Sequence, residues 1–221
     1  MRRLGERIEE HKNYILFQKG ETAGQRGVGF IIKKFLKQYI QELIGISERL
    51  ALLIIKFPGY KKQWAIMQVY APTEQAEQSV VDAFYEEVSL TVKTNTDKHI
   101  ILMGDFNAQV GGRQNNEEYV LGKYGQGKRS KNGEKLISFL MEHNLTLMNS
   151  IFKKKNKNEW TWISPDGAYK NEIDFVISSY PKAFTDTTVI STLNFNTNHR
   201  KVRSSLRKFP NKTSRKHIKT W

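Results

Sequence analysis

The sequence contains no cysteine and only five prolines among its 221 residues. The absence of cysteine excludes disulfide bonds and thiolate metal sites, so any metal must be held by carboxylate, amide or imidazole groups. Long apolar runs are also missing. Runs such as Leu50 to Ile55 are far shorter than the roughly 20 residues that a membrane-spanning helix needs. The N-terminus is arginine-rich without an apolar segment, so we expect no secretory signal and predict an intracellular protein.

Acidic residues are scarce relative to basic ones. The chain has 22 Asp and Glu against 36 Lys and Arg, a formal net charge of +14 and a pI near 9.8. Nine of the basic residues and no acid lie between residues 199 and 221, so the rest of the chain carries +5. A second basic run covers residues 153–157. One such run is typical of a solvated surface, whereas two runs with a net excess favour a polyanionic partner.

The hydrophobic pattern predicts many short strands and two or three helices in one domain. Apolar segments bounded by glycine, proline or polar residues predict strands within 27–32, 50–57, 63–71, 99–103, 145–148, 160–163, 172–177, 187–192 and 199–206. Helical spacing predicts one helix within 75–94 and another capped by Asn132. Residues 105–131 predict a long functional loop. Because strands and helices do not alternate strictly, an α/β sandwich fits better than a doubly wound sheet.

The strongest chemical motif is the MGDFNA segment, where Asp105 and Asn107 directly follow a predicted buried strand. If the chain stays extended there, the two side chains lie on the same side of it. A carboxylate beside an amide can hold a divalent cation or position a water molecule. Glycine, aspartate and asparagine also form ordinary turns, so the motif alone leaves both interpretations open.

Other chemically capable residues are less informative one by one. Tyr70 ends a predicted strand, where most tyrosines are half-buried packing residues. Asp174 falls in an apolar segment, where a carboxylate is costly without a partner unless it lies at a strand end. His199 lies among basic residues, and single histidines are usually structural or solvated. The WTW segment at 160–162 suits the core better than a substrate platform.

The order of these residues is more specific than any one of them. Tyr70, then Asp105-x-Asn107, then Asp174, then His199 resembles the endonuclease/exonuclease/phosphatase superfamily. The chain is most similar to the endonuclease domains of RTE/Bov-B-type non-LTR retrotransposons. The segments that carry the resemblance are RGVGF (26–30), QVYAPTE (68–74), MGDFNAQVG (103–111), GKYGQGKRSKNGEKL (122–136), TWISPDG (161–167), NEIDFVI (171–177) and NHRKVRSSL (198–206). The resemblance implies a deoxyribonuclease-like α/β fold, a four-layer sandwich of two packed β-sheets flanked by helices.

The resemblance also implies hydrolysis of phosphodiester bonds in DNA with Mg²⁺ or Mn²⁺. Asp105 and Asn107 would orient and activate water, Tyr70 would contact the phosphate or the metal shell, and His199 would stabilise developing charge. Asp105 and Asp174 would support the metal. Contacts to nucleic acid are expected from Arg113, Lys128, Arg129, Lys153, Lys154, Lys155 and Arg200. We expect a monomer that acts on DNA in the nucleus, with the domain in residues 1–208 and a basic extension in 209–221.

Two departures from the family pattern predict reduced activity. The family begins with strands that carry an Asn and a Ser-Glu, whose Glu is the main metal ligand. Both precede the stretch that matches residues 2–6, so the first strands are expected to be absent. The family's Ser-Asp-His also reads Thr197-Asn198-His199 here, and asparagine cannot stabilise an imidazolium by charge. An inactive nucleic-acid-binding descendant or an unstable pseudogene fragment therefore stays open as an alternative.

Overall fold

The computed structural model describes residues 4–23, 26–154, 159–192 and 197–207. The strands are β1 (Gly5–Glu10), β2 (Tyr14–Gly20), β3 (Val28–Lys33), β4 (Ile40–Ser47), β5 (Leu50–Ile55), β6 (Trp64–Tyr70), β7 (His99–Asp105), β8 (Thr146–Leu147), β9 (Trp162–Ile163), β10 (Lys170–Asn171), β11 (Asp174–Ser178), β12 (Phe184–Ile190) and β13 (Lys201–Leu206). The helices are α1 (Gln78–Lys93) and α2 (Lys131–Glu142), and 3₁₀ turns cover Lys34–Tyr39, Met148–Ser150 and Pro181–Ala183.

A six-stranded sheet in the order β4-β5-β6-β7-β11-β8 forms the centre of the molecule. The pair β6–β7 is parallel, because α1 returns the chain between them, and the other pairs are antiparallel. All six residues of β5 are buried, as expected for a continuous apolar strand that is covered on both faces.

Both helices pack on one face of this sheet. α1 contributes Val81, Phe84, Tyr85, Val88 and Val92, whose spacing of three to four residues forms a single apolar face. The core face of α2 lies beside it and includes Leu136 and Leu140. Together they bury alternate residues of the central strands.

A second β layer covers the opposite face and consists of two pieces. The sheet β1-β2-β3 lies over β4, β5 and β6, and the β12–β13 hairpin lies over β11 and the turn that follows β8. Phe17 and Phe30 of the first piece and Phe184 of the second join the same apolar cluster. Within the described residues, β3 and β13 have no strand partner beyond β2 and β12 respectively.

These layers confirm the predicted α/β sandwich. In the described part of the chain it has three layers, since no α-helix there covers the outside of the second β layer. The described helices are also too short or too polar to cross a membrane. Two strands in residues 1–24 and β4 were not predicted. The prediction that Asn132 caps α2 was wrong, because Ser130 is the N-cap and its hydroxyl accepts the Gly133 N–H at 3.2 Å.

Candidate active site

Strand register brings three of the predicted site residues to one end of the central sheet. Asp105 pairs with Tyr70 across the parallel β6–β7 ladder and with Asp174 across the antiparallel β7–β11 ladder. Residues in register lie side by side on the same face of a sheet. All three belong to the face that is turned toward the second β layer. Asp174 is the first residue of β11 and lies at a partly exposed end of that strand.

Gly104 allows these strands to approach closely just before Asp105. Its φ of +143° is a conformation that other residues rarely adopt, and a Cβ atom there would lie 2.0 Å from the carbonyl oxygen of Val69. A side chain at this position would push β6 and β7 apart. The glycine thus helps to set the spacing between Tyr70 and Asp105.

Asn107 differs from the expectation of an extended chain. Its φ is +45°, a left-handed conformation that asparagine tolerates. The Asn107 main-chain N–H donates to Oδ1 of Asp105 at 2.9 Å, and its side-chain amide donates to the carbonyl of Ala71 at 2.8 Å. The motif is therefore a tight turn that fixes both side chains. The donating group of the Asn107 side chain is used in this turn, and its oxygen atom is the acceptor that it can offer to a ligand.

His199 reaches the same end of the sheet from the second β layer. The Nδ1 atom of its imidazole lies 3.0 Å from Oδ2 of Asp174. Burial disfavours the charged imidazole, but the hydrogen bond and the charge of Asp174 outweigh burial and raise the pKa of His199. A bridge between His199 and Trp162 of β9 holds the main chain in this position.

Asp105, Asp174 and His199 form a cluster whose ligand atoms all lie within 4.8 Å of one another. Burial, followed by the negative charge of Asp174, raises the pKa of Asp105 to about 6. Two carboxylates this close repel each other, and a bound cation would relieve the repulsion. The donor set therefore suits a divalent cation, with two carboxylates as oxygen ligands.

Asn198, the departure from the family pattern, lies at the surface. Its main-chain carbonyl accepts the Ile163 N–H at 3.0 Å, and its side chain is exposed. The carboxylate that contacts the imidazole is that of Asp174, not a residue at position 198. The substitution therefore leaves His199 with a charged partner.

Several residues that hold the site were missed by sequence reasoning. Arg49 donates to the carbonyl of Tyr70 at 3.0 Å, and its guanidinium carbon lies 5.6 Å from the centre of the Tyr70 ring. The hydroxyl of Thr161 accepts the main-chain N–H groups of Ile173 and Asp174, each at 3.0 Å. Buried Asn149 donates to the Asp174 carbonyl at 3.1 Å. A polar residue inside or just after an apolar segment was the available signal for Thr161 and Asn149.

The predicted nucleic-acid contacts fall into two groups. Arg113, Lys128 and Lys153 are exposed, Arg200 is half-buried, and Lys155 lies outside the described residues. In contrast, Arg129 forms a bidentate ion pair with Glu117, in which both side chains are about nine-tenths buried. Lys154 is equally buried in an ion pair with Glu172. These pairs hold the 109–131 loop and the segment before β11, so the charges of Arg129 and Lys154 are paired within the protein and not directed at nucleic acid.

A comparison with family models matches residues 64–203 to the family described as "Endonuclease-reverse transcriptase". Two curated relatives are both named craniofacial development protein 2. The Bos taurus protein is 30% identical over 176 residues, and the Tragulus javanicus protein is 28% identical over the same length. Each match covers 79% of this chain but only 29% and 30% of the respective relatives, so the chain spans less than a third of their length.

Solved structures share the fold at low identity. The endonuclease domain of TRAS1, a telomere-specific non-LTR retrotransposon, has a TM-score of 0.61 and 13% identity, over 87% of this chain and 80% of its own. The AP endonuclease LMAP from Leishmania major has a TM-score of 0.66 and 11% identity, over 89% and 71%. An endonuclease/exonuclease/phosphatase family protein from Leptotrichia buccalis has a TM-score of 0.61 and 13% identity, over 90% and 74%. The fold and the family model together support a nuclease or phosphodiesterase type of activity.

Proposed function

Since the chain belongs to the Endonuclease-reverse transcriptase family, we propose that it is a metal-dependent endonuclease that nicks DNA. The observation that carries this proposal is the cluster of Asp105, Asp174 and His199, whose ligand atoms lie within 4.8 Å of one another. Tyr70 and Asn107 lie at the same end of the sheet. Acid, amide, phenol and imidazole groups at one place can together bind a metal ion, orient water and stabilise the charge that develops in phosphodiester hydrolysis.

Asp105 and Asp174 would hold Mg²⁺ or Mn²⁺, which prefer oxygen ligands. The ion would act as a Lewis acid on the phosphate and neutralise its charge. Support comes from the pKa of Asp105, which burial and then the charge of Asp174 raise, since a cation would offset both effects. This donor set does not include the glutamate on which the family relies.

The side chains would divide the remaining work. Asp105 accepts a proton from the attacking water and Asn107 orients that water through its amide oxygen. The Tyr70 hydroxyl donates a hydrogen bond to a phosphate oxygen, and Arg49 fixes the Tyr70 main chain. His199, held by Asp174, places positive charge beside the phosphate as negative charge develops on it.

DNA is the proposed substrate because the chain has a formal net charge of +14 and carries exposed basic side chains. Arg113, Lys128 and Lys153 are exposed, and Arg200 directly follows His199 in the sequence. A nick of this kind would serve to prime reverse transcription at a target site. We further propose that the domain ends near residue 208, and that it acts as a monomer in the nucleus with residues 209–221 as a basic extension.

A nicking assay on supercoiled plasmid tests the proposal. With Mg²⁺ we expect open-circular product, and none in EDTA. Asp105→Asn should lower the rate by at least about 100-fold, because it removes the base while keeping an acceptor for the Asn107 N–H. Asp97→Asn is the matched control, since it makes the same charge change in the exposed turn that precedes β7.

The same assay also weighs the binding-only alternative. Nicking that survives EDTA or the Asp105→Asn substitution would contradict the proposal. A protein that binds plasmid but never nicks it would support the inactive descendant. We do not favour that descendant, because His199 retains a carboxylate partner despite Asn198.

A further inference from the structure

The WTW segment at residues 160–162 contacts three separate parts of the candidate site. The Thr161 hydroxyl accepts the main-chain N–H of Asp174 at 3.0 Å, and the Thr161 carbonyl accepts the N–H of Arg200 at 2.6 Å. Trp162 forms the bridge with His199. A segment that the sequence assigned to the core thus lies against the reacting groups.

Trp160 stacks directly on a basic side chain beside His199. The guanidinium carbon of Arg200 lies 3.1 Å from the centre of the Trp160 ring, and Nζ of Lys170 lies 5.4 Å from it. A guanidinium stacks favourably on the face of a tryptophan ring, and its five N–H donors lie in its own plane, where several of them can bind different acceptors at once. The stack also restricts the rotamers of a long side chain before any ligand arrives.

The surface next to this stack is a cavity of about 410 Å³. Trp160, Lys170 and Lys128 line it together with Gln109 and Asn171. Gln109 lies two residues beyond Asn107, and Asn171 lies three residues before Asp174, so the cavity adjoins the site. Two acids also line it: Glu172 forms an ion pair with Lys154, and the carboxylate of Glu159 accepts a hydrogen bond from Gln126 at 3.0 Å.

We propose that Trp160 is a positioning residue that holds the Arg200 guanidinium ready to bind a DNA phosphate next to the one that is cut. This inference rests on the proposed endonuclease function. It assigns Trp160 no contact with the reacting atoms. Its effect on DNA passes through Arg200.

The test is a titration of a 20-base-pair DNA duplex in EDTA at several salt concentrations, which needs no cleavage. Arg200→Ala should weaken binding about 3- to 10-fold at low salt and reduce the slope of log K against log salt by about one. Trp160→Ala should move both quantities in the same direction by a smaller amount. The double variant should bind no more weakly than Arg200→Ala alone, because Trp160 acts only through Arg200.

Two further variants separate positioning from general damage. Trp160→Phe keeps an aromatic face and should restore most of the affinity and the slope. Tyr169→Ala removes an exposed aromatic side chain just before β10, and this variant should bind DNA like wild type. In plasmid nicking, Trp160→Ala should raise KM while kcat changes less than about twofold, since it touches no reacting atom.

The outcomes distinguish this inference from the function on which it rests. An unchanged slope in Trp160→Ala, or additive losses in the double variant, would overturn the positioning role even if the wild type nicks DNA. Non-additive binding losses without any nicking would keep the positioning role and reject the endonuclease. Wild-type protein that binds no duplex at any salt concentration would overturn both.

Discussion

Strands β6, β7 and β11 carry different kinds of side chains at their two ends. At one end, Tyr70, Asp105 and Asp174 lie in register with polar side chains directed at the second β layer. At the other end, Trp64 pairs with His99, and His99 stacks on Tyr180 with ring centres 4.3 Å apart. Between the two ends, the strand interiors are apolar apart from Gln68 in β6. The same scaffold therefore supports a reactive end and an end that serves only packing.

A histidine lies at each end, and their surroundings move their pKa values in opposite directions. Burial lowers the pKa of His99, and the nearby charges of Lys62 and Lys56 lower it further. At the reactive end, Asp174 overcomes the effect of burial and raises the pKa of His199. The groups on the loops and strand ends around an imidazole, and not the sheet beneath it, therefore decide its charge.

The largest expected effect comes from removing the negative charge of Asp174, which makes the pKa shift of His199 opposite to that of His99. Asp174→Asn keeps the shape of the side chain but takes away the carboxylate that holds the imidazolium of His199. We expect nicking to fall about 10²- to 10⁴-fold and the pKa of His199 to fall. Plasmid nicking and NMR titration of metal-free protein measure the two effects. Asp186→Asn, an exposed acid paired with Arg203, is the charge-matched control and should retain activity.

At the packing end, truncation should affect stability and not chemistry. Trp64 is fully buried between Phe57, Tyr60 and His99. Trp64→Ala should lower the free energy of unfolding by about 3–5 kcal/mol, measured by urea denaturation, because it leaves a large cavity. Activity per folded molecule should stay within about twofold of wild type. A selective loss of nicking without loss of stability would show that the two ends are not separate.

The next effect is the pH dependence of folding stability that the two histidines produce. The folded pKa of His99 is lowered, so its neutral form is favoured and stability should fall as pH drops below about 6.5. The folded pKa of His199 is raised, so its contribution is complete below about 6.5 and is lost as pH rises through the raised value. NMR of metal-free protein should show His199 titrating above His99.

The variant His99→Phe isolates the packing end of that pH dependence. It keeps an aromatic ring against Tyr180 but cannot take up a proton. Its stability relative to wild type should therefore improve as pH is lowered from 6.5 to 5, as measured by thermal melts. A constant difference across this range would mean that His99 does not contribute to acid sensitivity.

The central strands were predictable because their signal is local. β5, β6 and β7 are apolar runs ended by glycine, proline or polar residues, and the structure places them within a residue or two of the prediction. β1 and β4 were missed because both are edge strands with mostly exposed or half-exposed residues, so their side chains show no clear alternation.

The site was predictable as a list of residues but not as a set of contacts. Asp105 and Asn107 were found from a strand end followed by polar residues. The pairing of His199 with Asp174 joins residues 25 positions apart through the packing of the second β layer on the central sheet, which a single sequence does not encode locally. The same reason hid the ion pair that turns Arg129 inward onto Glu117. Charge alone could not distinguish this arginine from exposed Lys128.

The smallest expected effect concerns Ser130, which lies at the reactive end but serves the scaffold. Its hydroxyl accepts the N–H groups of Gly133 and Gln109, each at 3.2 Å, and so caps α2 and fixes the loop after Asn107. Ser130→Ala should lower the free energy of unfolding by about 1 kcal/mol, measured by urea denaturation, and Ser130→Asp should restore it. Nicking should change less than about threefold. A loss as large as that of Asp174→Asn would place Ser130 among the reactive groups and move the boundary between the two functions of the sheet.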